Sequence, residues 1–393
     1  MEFKTVRFSE VDRNRWNDLV CKVPESTFFH SWDWLNFTEC LPHIKDHSSF
    51  LALQNEDAPL AICPLALTEG EQSEGPEMSL AGIPLAAPAL ANVKPSVRRQ
   101  LMDAVFSAYD SYRASHGAVR IKMASFPLRL DYITRKWAGH QNTFEFQKYN
   151  FLYMVINTLV VDLSLPKDEL FQNISKYHRR HIKRSKDAGL EVLVINDRTA
   201  ANEEIHSQMM KFRDVHITAA GRSTQPMEAW ESMVGGCLSG NATLFASCLN
   251  GNPISYLYCG EFSNSAIGWS QANLPEFERE YSPRHSLEWS AVQYYKRRGF
   301  QFYEFGERFF EPQLFHVPSD KEMSISEFKE RYGGFMLPKI YWTGYFNNDL
   351  LKRELSQNLD RLLQSLPPCL QRPNSSHEDS TEEPSGKSNN QDG

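Results

Sequence analysis

The chain has 393 residues, a length that suits two domains better than one. Its composition is that of a globular protein, with 41% hydrophobic and 23% charged residues. The formal net charge of −7 excludes a protein that is drawn to nucleic acid by an overall basic charge, so we expect no DNA partner. Any site for an anion must therefore be a local patch of cations.

Cysteine usage and hydropathy favour a cytoplasmic protein. The seven cysteines include no C-x-x-C pair, so we expect reduced thiols packed as small hydrophobic groups and no metal site. The N-terminus, MEFKTVRFSE, has no apolar signal core, and no run of 18 apolar residues predicts a transmembrane segment. We expect a cytoplasmic location, either free in the cytoplasm or in peripheral contact with the membrane.

Strands and helices alternate in the first half. Pro95 opens a helix whose apolar residues fall on one face, and Gly117 can end it. Ser9 is expected to cap the first helix. The predicted elements are strand 3–8, helix 9–23, helix 28–37, strands 50–53 and 60–67, a short strand 78–81, helix 95–116 and strand 119–123.

The second half repeats this order. The predicted elements are strand 151–165, helix 167–188, strand 190–195, helices 203–216 and 227–238, strands 244–249, 254–261 and 266–270, helix 284–298, strand 300–305, a short helix with a capping box at 324–327, strand 339–346 and an amphipathic helix 351–366. Segments 49–124 and 243–305 share the order hairpin, strand, helix, strand. This order predicts a structural duplication.

The fold class that follows is α/β (α+β), with mixed sheets flanked by helices. The predicted boundaries are an N-terminal domain at 1–150, a C-terminal domain at 151–348 and a C-terminal helix at 349–366. Residues 367–393 are polar, acidic and rich in proline and serine, so we expect a disordered tail.

The predicted helix around Arg180 has two distinct faces. One arc is expected to be buried and the opposite arc is basic. The buried arc holds Ile174, His178, His181, Ile182 and Ser185, and the basic arc holds Lys176, Arg179, Arg180, Lys183, Arg184 and Lys186. The basic arc could bind the phosphates of a nucleotide sugar, a coenzyme A tail or a tRNA backbone. It could equally be a solvated face paired with the acids of the chain.

Two further segments could carry chemistry. Glu304 lies near the end of a predicted strand, two residues before Gly306, so its carboxylate could lie in a cleft and act as a base toward an amine. Lys329 could stabilise an oxyanion or a leaving phosphate. Arg284 and His285 could bind an anion through their side chains. The alternative for Glu304 is a strand-end ion pair, and for Lys329 it is a place on a surface helix. For Arg284 and His285 the alternative is helix capping and solvation.

Several of these motifs occur together in a known family. They are the run Arg179–Arg184 before Gly189, Arg298-Gly299, Tyr303–Gly306, Phe328-Lys329, Gly333-Gly334, and Phe28–Leu35 near the N-terminus. In this order and spacing the chain resembles the Fem-type peptidyl/aminoacyl transferases of the GNAT acyltransferase superfamily.

The resemblance implies two tandem GNAT-like domains and transfer of an acyl or aminoacyl group to an amine. The implied donor is acyl-CoA or aminoacyl-tRNA, as a co-substrate and not a tightly bound cofactor. The implied acceptor is a cell-envelope or glycan precursor, such as an amine-bearing sugar or a peptidoglycan-type molecule. In the family, a lysine of the Phe-Lys motif is linked to stabilising the transferred group, and its match here is Lys329. We expect Lys329 and Glu304 to be catalytic, and Arg179, Arg180, Lys183, Arg284 and Trp269 to bind the donor.

The sequence departs from the family in two ways, of which the second leaves the donor open, and it also lacks the usual acetyl-CoA loop. Glu304 stands where the family has Asp, and the helical arm of some tRNA-using members is missing. The segment from Glu280 to Ser286, where such folds usually carry a glycine-rich pyrophosphate loop, has no glycine, and Pro283 removes an amide donor. The alternative function is a non-catalytic module on a degenerate fold that binds a nucleotide sugar or RNA.

Overall fold

A computed structural model describes residues 3–70, 75–80, 82–129 and 145–366. The strands in these residues are β1 Lys4–Arg7, β2 Ile44–His47, β3 Phe50–Asn55, β4 Ala58–Cys63, β5 Ala66–Thr68, β6 Glu77–Met78, β7 Leu85–Ala86, β8 Ala89–Leu90, β9 Arg120–Ser125, β10 Leu152–Asp162, β11 Glu191–Ile195, β12 Ala242–Leu249, β13 Asn252–Phe262, β14 Ser265–Asn273, β15 Phe302–Arg308 and β16 Phe335–Tyr345.

The α-helices begin and end close to the predicted positions in most cases. They are α1 Arg13–Val20, α2 Trp32–Glu39, α3 Pro95–His116, α4 Lys167–Asn173, α5 Lys176–Asp187, α6 Asn202–Ala220, α7 Met227–Leu238, α8 Pro275–Tyr281, α9 Pro283–Arg297, α10 Asp320–Glu330 and α11 Asn348–Ser365. The predicted tail and residue 81 lie outside the described residues. The domain boundaries proposed from the sequence stay a prediction.

The structure differs from the prediction mainly in where the helices begin. The first helix is capped by Asp12, whose carboxylate accepts a hydrogen bond from the Arg15 amide, and not by Ser9. The predicted helix 28–37 is interrupted at Ser31, which caps α2. The capping box of α10 is formed by Ser319 and Glu322, so residues 324–327 lie inside that helix.

The predicted helix 167–188 is two helices. Ile174 has an extended backbone between α4 and α5, and the Ser175 side chain caps α5 by accepting from the His178 amide. The Ser175 amide itself donates to the Arg331 carbonyl oxygen at 2.8 Å. The break therefore joins this segment to the end of α10.

The strands form two sheets. A small sheet has the order β1-β3-β4-β8, and a large one has the order β11-β12-β13-β14-β15-β10-β16-β9-β6-β5-β2, with β7 paired to β9. Most pairs are antiparallel. The exceptions are β6 and β7 beside β9, and β14 beside β15. Each half thus has parallel strands joined through a helix, α3 in the first half and α9 in the second.

The two halves share one hydrophobic core. Its largest fully buried side chains include Trp16 from the first half and Trp230 from the second. An aromatic cluster joins the halves, since Phe28 and Phe37 of the first half contact Trp269 of β14 at ring-centroid distances of 6.0 and 4.4 Å. Across the described residues, no helix combines the length and apolar character needed to cross a membrane.

Gly260 of β13 tests this contact between the halves, because a Cβ there would overlap the Phe28 ring. We expect Gly260→Ala to lower the free energy of unfolding by about 1–3 kcal/mol, the usual cost of overpacking a core. Denaturant unfolding of Gly260→Ala, Phe28→Leu and the double variant measures the coupling. If Gly260→Ala lowers the free energy of unfolding equally in the unaltered protein and in the Phe28→Leu variant, the contact between Gly260 and the Phe28 ring is not its cause.

Candidate active site

A β-bulge in β15 determines which side chains meet at the centre of the large sheet. Val160 of β10 pairs with Glu304, but Leu159 pairs with Gly306, so Phe305 is the extra residue. Glu304 and Glu307, three positions apart, would face opposite sides of a regular strand. The bulge places both carboxylates on one face.

Glu307 forms the centre of a charged network on that face. Its Oε1 atom is 2.5 Å from Nζ of Lys339 and also accepts a hydrogen bond from the Tyr341 hydroxyl. Burial opposes ionisation, but the Lys339 ammonium and the Tyr341 hydroxyl outweigh it and lower the pKa of Glu307. Glu307 is therefore an ionised carboxylate at neutral pH.

Glu304 lies deeper, and its placement corrects the sequence prediction of a carboxylate in a cleft. The side chain is 5% exposed, and its Oε1 atom accepts a hydrogen bond of 2.6 Å from the Thr158 hydroxyl. Burial raises the pKa of Glu304, and that hydrogen bond and two nearby lysines offset only part of the rise. Because of the bulge, Glu307 takes the position facing the cleft. A catalytic role for Glu304 stays a prediction.

Lys329, in the last turn of α10, points at the bulge. Its Nζ donates to the Glu307 carbonyl oxygen at 3.3 Å, and a Cβ at position 306 would lie 3.1 Å from Nζ. Gly306 has φ +90°, a backbone conformation that favours glycine. Burial lowers the pKa of Lys329, although the nearby carboxylates act against that shift.

The parallel strands β14 and β15 diverge beside this lysine. They pair only from Ser265 to Ile267, so the rest of β14 separates from β15. Arg284, in the first turn of α9, donates to Gln271 of β14 at 2.9 Å, and its guanidinium carbon lies 3.6 Å from the centroid of the Phe328 ring. The structure thus brings Arg284 and Lys329, both predicted site residues, to the same divergence.

The start of α9 offers few free amides to a phosphate. Ser282 has φ +52°, and its amide donates to the Glu278 carbonyl oxygen at 3.1 Å. Pro283 has no N–H, and the His285 amide donates to the Ser282 carbonyl oxygen at 3.1 Å. A pyrophosphate held by the amides of this turn, as in a glycine-rich loop, therefore has little to bind.

A cleft of about 350 Å³ is lined by Glu307 and is separate from the divergence of β14 and β15. Its walls come from both halves of the chain: Lys122 and Met123 of β9, Leu152–Met154 of β10, Tyr341–Thr343 of β16, Glu322 of α10, residues 82 and 84, and Phe309, Phe315 and His316. Glu307 and Glu322 are its acidic groups, and Tyr153, 42% exposed, is one of its aromatic groups. Glu307 therefore connects this cleft to Lys329.

The two-faced character of α5 is confirmed. Ile174, at its start, and His178, His181, Ile182 and Ser185 are all buried. Throughout the described ranges, none of the six cations on the opposite face has a carboxylate within salt-bridge distance. Arg179 instead donates to the carbonyl oxygens of Gln172 and Ile174, at 2.6 and 2.7 Å. Both predicted uses of this face, an anion site and a solvated basic surface, therefore stay predictions.

The basic face has a shallow groove of about 520 Å³. It is lined by Phe171, Lys176, Tyr177, Arg179, Arg180 and Lys183. Tyr177 is 46% exposed, and the guanidinium carbons of Arg180 and Arg331 lie 5.9 and 5.2 Å from its ring centroid. Trp269, the other predicted donor-binding residue, packs in the aromatic contact between the halves, so its role in donor binding stays a prediction.

Sequence reasoning missed Glu307, Lys339 and Tyr341. Lys339 and Tyr341 alternate along β16, so they share a face. A usable signal for Glu307 was Gly306, because a glycine inside a strand pattern suggests a bulge. Within the described part of the chain, no group of three or more His, Cys, Asp or Glu side chains is arranged to hold a metal ion.

Comparison with known proteins gives the class of this fold. Residues 172–311 match the family described as "Acetyltransferase (GNAT) domain". The structure is similar to that of FemX, with a TM-score of 0.60, 11% sequence identity and coverage of 89% of this chain and 99% of FemX. No curated protein matches the sequence significantly.

Two other solved structures are similar over the same extent. L-PGS from Bacillus licheniformis has a TM-score of 0.55 and 11% identity, over 89% of this chain and 96% of L-PGS. A conserved protein of unknown function from Bacteroides thetaiotaomicron has a TM-score of 0.52 and 12% identity, over 88% and 99% of the two chains. At these identities the likeness concerns the fold.

The match over residues 172–311 and these similarities define a GNAT-like fold. The chain has a Fem-like architecture, which confirms the fold class predicted from the sequence and, at the level of the fold, the resemblance. The mixed sheets flanked by helices are present as predicted.

The Lys339–Glu307 ion pair gives a pH-dependent prediction. The folded-state pKa of Glu307 is lowered, so the stability contributed by this pair is present at neutral pH and is lost as pH falls through that pKa. We expect Lys339→Met to cost about 3 kcal/mol at pH 7, as for other buried pairs that lose one partner, and less in acid.

Unfolding by denaturant at several pH values measures this difference. Lys352→Met is the matched control, because Lys352 and Asp349 form an exposed pair with 3.8 Å between Nζ and Oδ1. Its expected effect is below about 1 kcal/mol. A cost of Lys339→Met that does not shrink as pH falls would contradict the ionised state of Glu307.

Proposed function

We propose that the protein is an N-acyltransferase that moves an acyl or aminoacyl group from acyl-CoA or aminoacyl-tRNA to an amine of a cell-envelope or glycan precursor. The observation that supports this most is the position of Lys329, between the diverging strands β14 and β15 on one side and the Glu307 cleft on the other. The GNAT match over residues 172–311 supports the reaction class. We place the reaction in the cytoplasm.

The divergence of β14 and β15 is the proposed donor side. A carbonyl placed there lies near two cations, Lys329 and Arg284, in a partly buried setting where a charge acts more strongly than in water. The Lys329 ammonium can stabilise the oxyanion that forms when an amine attacks that carbonyl.

The cleft is the proposed acceptor side. Its acids, Glu307 and Glu322, can bind an ammonium group, and its aromatic wall suits the apolar face of a sugar ring. Glu322 and Lys329 are seven residues apart in α10, which is two turns and about 10 Å along one face of the helix. One helix therefore presents an acid to the acceptor and a cation to the donor.

The transfer step follows from this arrangement. The uncharged amine attacks the donor carbonyl and forms the C–N bond, and the C–S bond of a thioester or the C–O bond of an ester then breaks. The amine proton ends on the leaving thiolate or alkoxide. Glu307, an ionised carboxylate whose backbone carbonyl contacts Lys329, can carry it, as can a phosphate of the substrate.

Two features favour aminoacyl-tRNA over acyl-CoA. The basic face of α5 presents six cations without acidic partners among the described residues, which suits a long polyanion. The start of α9 has few free amides for a pyrophosphate. Tyr177, exposed between two arginines, could stack on an unpaired base.

Removing the Lys329 ammonium tests the catalytic assignment. We expect Lys329→Ala to lower kcat about 10²–10³-fold with little change in KM, because the charge is needed in the transition state more than in substrate binding. Consumption of acyl-CoAs and aminoacyl-tRNAs, with amino sugars and peptidoglycan-type precursors as acceptors, measures transfer. Lys321→Ala, at the exposed start of the same helix, is the control.

Full activity in a folded Lys329→Ala variant would remove this role. Binding of donors without turnover by the unaltered protein would instead support a binding module.

Charge removal on α5 tests the donor. The triple variant Lys176→Ala, Arg180→Ala, Lys183→Ala should weaken tRNA binding and make the slope of log K against log salt shallower by about 2–3, roughly one for each lost phosphate contact. Filter binding measures tRNA affinity at salt concentrations between about 50 and 200 mM, a range in which affinity depends strongly on salt. The control removes Arg99, Lys352 and Arg361, which are exposed elsewhere. Unchanged binding together with turnover of acyl-CoA would assign that donor instead.

A further inference from the structure

Three histidine rings pack together behind the proposed donor side. His178 and His181 come from α5 and His285 from the first turn of α9, and each is less than 10% exposed. The centroid of the His285 ring lies 4.5 Å from that of His178 and 4.7 Å from that of His181, and the His181 and His285 rings stack with an interplanar angle of 18°. The rings form the contact between α5 and α9.

His178 is also bonded to α10. Its Nε2 atom lies 2.9 Å from the carbonyl oxygen of Phe328. A carbonyl oxygen only accepts, so Nε2 carries the hydrogen, and Nδ1 of the neutral ring carries none. The buried Nδ1 atom has no hydrogen-bond partner among the described residues, which agrees with this tautomer.

The surroundings keep His178 uncharged at neutral pH. Burial lowers the pKa of His178 to about 4, and the cations Arg331 and Arg284 act in the same direction. The other titratable groups around the ring are His181, His285, Tyr177 and the buried phenol of Tyr332. A neutral ring with one N–H is therefore a constant donor over the pH range in which transfer would be assayed.

Phe328 directly precedes Lys329. The Phe328 ring packs against His178 and His285 at centroid distances of 4.8 and 5.0 Å, and the Arg284 guanidinium lies over the same ring. The Phe328 carbonyl is held from behind by His178 while the Lys329 side chain extends to the Glu307 carbonyl oxygen. The last turn of α10 is therefore fixed on both sides.

We propose that His178 is a positioning residue for Lys329: its Nε2–H holds the Phe328 carbonyl, and this contact keeps the Lys329 ammonium at Gly306 and Glu307. The catalytic consequence rests on the proposed function, but the positioning itself does not. Without the hydrogen bond, the end of α10 can shift and Lys329 can move toward water.

Chemical acylation of Lys329 in the full-length protein, quantified by mass spectrometry across pH, tests the positioning without a transferase assay. Burial lowers the pKa of Lys329, so its amine should react at lower pH than the exposed amine of Lys352. We expect His178→Leu to raise the apparent pKa of Lys329 by about one unit, a fraction of the roughly 3–5 units that full burial can produce.

His178→Gln should restore the unaltered titration, because the glutamine amide nitrogen can replace Nε2 as the donor. His178→Asn, whose amide is too short for that contact, should behave like His178→Leu and serves if the leucine variant does not fold. His216→Leu is the matched control, since His216 packs against Trp230 and Phe212 and bonds to Thr224, away from α10.

Transfer kinetics give a second readout. In His178→Leu we expect kcat to fall by about 10²-fold, the cost of a catalytic group misplaced by about 1 Å, with donor KM within about twofold. His178→Gln should keep kcat within a few-fold of the unaltered protein. Equal loss of kcat in the Gln and Leu variants would overturn the proposal.

The two readouts separate the two proposals. An unchanged Lys329 titration in a folded His178→Leu or His178→Asn variant would overturn the positioning role, whatever the activity. Normal transfer by Lys329→Ala, together with a shifted titration in His178→Leu, would leave the positioning role standing and remove the catalytic one.

Discussion

The site depends on strand β16, which pairs with β10 on one side and β9 on the other. Because it joins strands from the two halves, the large sheet is continuous and the halves cannot move independently at this point. Glu307 lies on β15, two strands from Lys339, a separation of about 9–10 Å between backbones. A long side chain is needed to span it, and Lys339 does so across β10. The same sheet that joins the halves therefore builds the charged network.

Within that network, two carboxylates on one face of the same strand have opposite pKa shifts. Burial raises the pKa of Glu304, which is covered and bonded to the Thr158 hydroxyl, whereas Lys339 and Tyr341 lower the pKa of Glu307 against the effect of burial. Two neighbouring acids whose pKa values are shifted in opposite directions are a recurrent arrangement at catalytic sites. A single unpaired residue in β15 produces it here, because without the bulge the two carboxylates would lie on opposite sides of the sheet.

Most elements of the fold could be predicted from periodicity and from glycine and proline positions. The Asn250-Gly251 turn between β12 and β13 is an example, since both residues have positive φ, as a tight hairpin turn requires. The break at Ile174 could not be predicted this way. Local propensity favours one helix through 167–188, and what interrupts it is tertiary: Ile174 is buried, and the freed Ser175 amide bonds to the Arg331 carbonyl at the end of α10.

The site was predictable where a residue type stood out locally and not where neighbours decide its role. Lys329 is recognisable beside Phe328 and the glycines that follow, and the structure places it against Gly306. Glu307 does not stand out in this way, since regular strand alternation puts it on the other face from Glu304 and a bulge changes that parity without altering composition. The same reasoning applies to His178. Its place on an apolar arc indicates burial, but only the packing of α5 against α10 turns a buried histidine into a donor to the residue before Lys329. A side chain that holds another segment in place is thus hidden from sequence reasoning whenever its partner is a backbone carbonyl, which every residue has.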